Sequence, residues 1–86
     1  MDIITQKHGI IYNVRIRDVS KKVLPATVLL VEKGVGTEKG TIIGEVGTVE
    51  VAEKALSSIH KAFEEDRSPW DFNEFMEALK KKEEQE

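Results

Sequence analysis

This sequence predicts a single small α+β domain: an antiparallel meander of three strands, four if Ile3–Lys7 joins, followed by two helices packed on one face. Three observations predict it. Residues up to Val46 hold alternating or β-branched apolar segments, and residues from Thr48 hold apolar positions spaced by three and four. The two periods do not mix, which is the pattern of strands first and helices second. At 86 residues the chain has material for one core and not two.

The strands fall within about 10–46. Ile10–Val19 (IIYNVRIRDV) alternates, with Ile10, Tyr12, Val14 and Ile16 on one face and Asn13, Arg15 and Arg17 on the other, as in a half-buried strand. Ser20–Lys22 reads as a polar connection. Pro25 stands at the threshold of the next strand, where its missing N–H does least harm. Ala26–Glu32 (ATVLLVE) is apolar on both faces at its centre and suits a central strand covered on both sides, at least in part. Gly40–Val46 (GTIIGEV) is the third strand, and Gly44 inside it marks a bulge or a close backbone approach. At Ile3–Lys7 a further strand would turn through His8-Gly9 into Ile10.

The helices cover about 49–66 and 69–82. In the first, Val51, Ala52, Ala55, Leu56, Ile59 and Phe63 form one stripe, with Gly47 or Thr48 as N-cap and Glu50 in the first turn. In the second, Ser68 is placed to cap, Pro69 to take the first helical position and Asp71 to close a shortened capping box. Phe72, Phe75, Met76 and Leu79 follow on one face, and the tail 83–86 has no apolar anchor and frays.

Gly34, Gly36 and Gly40 invite comparison with phosphate-binding loops. A P-loop needs its lysine after the last glycine and a helix after the loop; here Lys39 precedes Gly40 and a strand follows. The dinucleotide spacing is one residue too long. The segment is therefore a hairpin connection. The chain has no cysteine, so thiolate ligands and nucleophiles are excluded. His8 and His60 lack ligand spacing, and no serine sits in a nucleophile elbow. The reading is a non-enzyme with no cofactor and no metal. With no leader or apolar span, it reads as a complete cytoplasmic chain, off the membrane.

Charge points to binding. Residues 1–47 carry seven basic and five acidic side chains, residues 48–86 six and eleven. The acidic half includes FEEDRSPWDFNEF (Phe63–Phe75), where Trp70 with Asp66, Asp71 and Glu74, beside Glu64 and Glu65, forms a candidate contact for a protein with a basic surface. The competing account has Trp70 folding back into the helix–helix corner. The basic half offers a second surface, Arg15 and Arg17 with Lys21 and Lys22, for nucleic acid, although that sheet face lacks aromatic stacking partners. Self-pairing through the sheet's free edges is a third route, to a homo-oligomer.

The order of three strands and two helices with an acidic second half resembles small phage-encoded inhibitors of host defence. That resemblance implies a helical face that partly mimics nucleic acid. Gly44–Phe63 (GEVGTVEVAEKALSSIHKAF) resembles the strand-to-helix step of HicB-type antitoxins. Neither carries a residue over. The function expected is a small regulator or inhibitor that binds a protein by occupying its surface.

Overall fold

The computed structural model describes residues 1–34 and 40–84, without the side chains of 83 and 84. Among the described residues, six strands, β1 (Ile3–Ile4), β2 (Ile10–Ile11), β3 (Val19–Val23), β4 (Val28–Glu32), β5 (Thr41–Glu45) and β6 (Trp70–Asp71), accompany two helices, α1 (Val49–Glu64) and α2 (Phe72–Glu84). The α+β class is as the sequence predicts. The main sheet is the antiparallel meander β3-β4-β5, and the helices come last. A smaller sheet, β2-β1-β6, pairs β1 antiparallel to β2 and parallel to β6. So Ile3–Ile4 is a strand, and it turns through His8-Gly9 into Ile10 as expected.

The expected strand Ile10–Val19 is not there. Pairing stops at Ile11, and Asn13 takes a left-handed φ of 54°, which Asn tolerates better than most residues. Its N–H donates to Asp2 Oδ1 at 3.1 Å, and Val14 N–H donates to the Met1 carbonyl at 2.7 Å. These long-range bonds bend the chain into a 3-10 turn, Ile16–Asp18. The alternation fails with it: Val14 is buried while Tyr12 is 68% exposed.

The first strand of the meander is instead β3, with Ser20–Lys22, expected as a connection, at its centre. Lysines there suit an edge strand, where charge discourages unwanted pairing. Pro25-Ala26 makes the turn to β4, closed by Leu24 N–H to the Thr27 carbonyl at 2.8 Å. The glycine-bearing segment joins β4 to β5, which are antiparallel neighbours, so it is a hairpin connection; residues 35–39 within it lie outside the described residues.

Both expectations for Gly44 hold. The β4–β5 register shifts between Leu30 and Val31, leaving Ile43 as the extra residue of a bulge. Ile42 therefore points to solvent and Ile43 to the core. At Gly44 an added Cβ would lie 2.5 to 2.7 Å from three ring atoms of Phe72.

Thr48 caps α1, its Oγ1 accepting from Val51 N–H at 3.2 Å, with Gly47 at φ 82° before it. Ala52, Ala55, Ile59 and Ala62 are the buried positions, and the three small alanines let α1 lie close to β3 and β4. Phe63, expected in that stripe, is half exposed. The expected Ser68 cap is corrected: Ser68 Oγ accepts from Asp2 N–H at 3.1 Å, and Pro69, after a cis peptide bond, precedes β6. Asp71 caps α2 instead, its Oδ1 accepting from Asn73 N–H at 2.9 Å and Glu74 N–H at 3.4 Å.

The two helices do not share one sheet. While α1 covers β3 and β4, α2 leans on β1. One hydrophobic cluster joins both parts, from Ile3 and Val14 through Leu30 and Ile43 to Ile59, Trp70 and Phe72. Residues 83–84 continue α2, and the rest of the expected fraying tail, 85–86, lies outside the described residues. Among the described residues, no helix is long and apolar enough to cross a membrane.

Gly44→Ala should cost about 1–3 kcal/mol by overpacking against Phe72, and Phe72→Ala about 3–5 kcal/mol. Urea denaturation followed by circular dichroism measures both, and a Gly44→Ala midpoint equal to the parent's refutes the close packing.

Candidate functional site

The residues singled out by sequence occupy three places. Trp70 is core. Its ring is 6% exposed, edge-on to Phe72 at 6.3 Å and tilted against Phe75 at 5.6 Å. Its Nε1–H donates to Ser58 Oγ at 3.0 Å, and its backbone N–H donates to the Asp2 carbonyl at 2.9 Å. The apolar body and the polar edge are both satisfied within the chain.

The carboxylates around it do not assemble into one acidic rim. Asp71 and Glu74 line a groove of about 410 Å³ between α1 and α2, floored by Trp70 and Phe75, but Lys61 and Arg67 line it too. Asp71 is committed as the α2 cap, and Glu65 pairs with Arg67. Asp66, in the turn after α1, lines a separate depression of about 120 Å³ beside Met1, Phe63 and Ser68.

The basic set is also dispersed, and its expected sheet face is corrected. Arg15 precedes the 3-10 turn and Arg17 lies within it, so neither is on a strand. Lys21 and Lys22 leave β3 on opposite sides. On the α1 side, Lys21 Nζ meets Glu53 Oε1 at 3.1 Å.

Lys22 belongs to a surface that sequence reasoning did not identify. One face of the meander lies under α1; the other stands open among the described residues. Ser20, Lys21 and Lys22 of β3, Leu29 and Val31 of β4, Ile42 of β5 and Lys33 line a depression of about 450 Å³ there. Ile42 is 57% exposed, and Leu29 and Val31 are half-buried. The signal was present: VLLV is apolar on both faces, and the second face is covered only in part, with Leu29 and Val31 half-buried. The surface combines an aliphatic floor with a lysine rim, and Lys22 and Lys33 have no ion-pair partner among the described residues.

Under the opposite face lies Glu32, a buried carboxyl at the end of β4. Removal from water, with Asp18 close by, raises its pKa above the usual 4.5. His8 and His60 are exposed and separate, and among the described residues no three His, Cys, Asp or Glu side chains gather to hold a metal. Comparison with known proteins gives no match: no family model fits the chain, and no curated protein or solved structure is significantly similar to it.

Trp70→Ala should destabilise the fold by about 3–5 kcal/mol, seen as a lower denaturation midpoint. A variant as stable as the parent returns Trp70 to the list of surface contacts. Glu32 yields a pH test. With its folded-state pKa raised, the native chain holds a proton that the unfolded chain releases, so stability falls as pH rises through the window above 4.5. Glu32→Gln should therefore raise Tm near neutral pH, with the gain closing as pH falls below 4.5. A gain of the same size on both sides of that window contradicts the assignment.

Proposed function

We propose that this chain is a small binding module that acts by occupying the surface of a partner protein, without turnover, and that the bare face of β3-β4-β5 is its contact. The observation that carries this is the contiguous aliphatic strip of Leu29, Val31 and Ile42, half-buried to exposed among the described residues and bordered by lysines. A contiguous apolar strip left open on a folded surface, rimmed by polar side chains, is the mark of an interaction site. The lysine rim supports a partner whose apolar contact is bordered by carboxylates, since charge complementarity selects and orients partners.

This moves the contact away from the Trp70 corner. Trp70 is engaged internally, and the charges around its groove are of both signs. Nucleic acid fits the bare face less well. Unpaired bases stack on aromatic side chains, and this face offers Leu, Val and Ile.

Ile42→Asp places a charge in the centre of the strip at a position already exposed, so Tm should stay within a few degrees of the parent's. Proteins held by the parent in a pull-down from its native lysate, after nuclease treatment, should be lost by this variant. Proteins held equally by both refute the face, and retention that disappears with nuclease refutes the protein partner.

A further inference from the structure

We infer that the outer edge of β3 is a strand-addition site for an extended segment of the partner that sets a carboxylate opposite Lys22 and apolar side chains opposite Ser20 and Val23. This rests on the reading of the adjoining face as the partner contact.

Hydrogen-bond parity exposes the edge. Lys33 N–H donates to the Asp18 carbonyl, and Leu24 N–H to the Thr27 carbonyl, at the two ends of the β3–β4 pair. In an antiparallel ladder that fixes Ser20 with Val31 and Lys22 with Leu29 as the hydrogen-bonded pairs between them. The N–H and C=O groups of Lys21 and Val23 must then point away from β4. Among the described residues, no other element takes them up. Two residues at spacing i, i+2 with both groups free are what a strand-adding peptide grips.

Among the described strands, the other edges are shorter or partly taken up. The outer side of β5 is taken up at Ile43 and Glu45 by the β1–β2 turn, where Gln6 N–H donates to the Ile43 carbonyl at 2.7 Å and Gln6 Oε1 accepts from Glu45 N–H at 3.1 Å. Strands β2 and β6 are two residues long, against five for β3.

The side chains along β3 choose the occupant. A second copy pairing β3 about a two-fold axis would set Lys21 against Lys21, or Lys22 against Lys22 in the adjacent register, and like charges directly opposed destabilise a pair. A carboxylate opposite Lys22 meets a lysine that has no partner among the described residues. Opposite Ser20, an apolar side chain passes over the small residue toward Val31, its neighbour in register. On the α1 side, Val23 is 59% exposed and receives a second apolar contact.

The probe is a soluble peptide carrying Val-Glu-Thr-Val, with Val-Lys-Thr-Val as its control. Fluorescence anisotropy should show binding of the first only, weakened about tenfold or more by Lys22→Glu and regained when that variant meets the lysine control. Amide exchange by NMR should slow at Lys21 and Val23 when the glutamate peptide is bound. Equal binding of both peptides, no binding of either, or unslowed exchange at Lys21 and Val23 overturns strand addition. So does concentration-dependent protection of those amides without peptide, which would seat a second copy there, or displacement of the peptide by a single-stranded oligonucleotide. If strand addition is overturned while capture of a partner still depends on Ile42, the face contact survives without the edge; if that dependence is absent as well, both fall.

Discussion

The fold depends on one close approach, the Phe72 ring against the bare backbone of Gly44. Three consecutive residues work around that point. Asp71 caps α2, Phe72 fills the core beside the β5 bulge, and Asn73 donates through Nδ2 to the carbonyls of Thr5 and Gln6 at 3.3 and 3.1 Å. Gln6 in turn bonds the outer side of β5. The start of α2 is thereby tied to both sheets at once, through an apolar contact that excludes water and polar bonds that set its direction. Removing Phe72 would leave a cavity where the two sheets join, whereas Lys80, Lys81 and Lys82, toward the far end of α2, are exposed.

What the sequence revealed divides by range. The helices were legible because a stripe at three-and-four spacing is a local property of the helix that carries it. Gly44 was legible because a glycine inside an apolar strand marks a place where a side chain would not fit or the ladder slips. The Ile10–Ile16 alternation misled because what broke it, bonds from Met1 and Asp2 to Val14 and Asn13, comes from residues whose place nothing nearby declares. SKK reads as a connection because edge strands and turns share a polar composition. The SPWD segment points to the wrong cap: Ser68 has the right chemistry, but its hydroxyl is used by Asp2, and Asp71, expected as the second member of the box, is itself the cap. Of the candidate contacts, Lys21 and Lys22 line the open depression, and proximity in sequence did not become proximity in space for the acidic set or for Arg15 and Arg17.

The bare face follows from the Phe72 anchor. A meander with an apolar central strand can be covered on both sides if two helices are available, one for each. Here α1 takes one side of β3-β4-β5, and α2, held by Phe72 and Asn73 at the small sheet, leans on β1 and leaves the other side open. The exposed strip is thus a consequence of topology, and the apolar residues at Leu29, Val31 and Ile42 are set in it by strand alternation and the bulge.

An open apolar face beside an unpaired strand edge is also the arrangement most prone to self-association. The chain answers with charge placed where it acts twice. Lys21 opposes itself, or Lys22 itself in the adjacent register, when β3 pairs with a second copy about a two-fold axis at its centre, and Lys22 and Lys33 rim the strip. Lys21 is already satisfied by Glu53, so its cost falls on a second copy more than on the folded chain. Lys22 remains available. A lysine that repels an identical strand attracts an acidic one by the same Coulombic interaction, and specificity is the difference between those two free energies. The residue that keeps this edge from closing on itself is therefore the residue best placed to decide what is admitted to it.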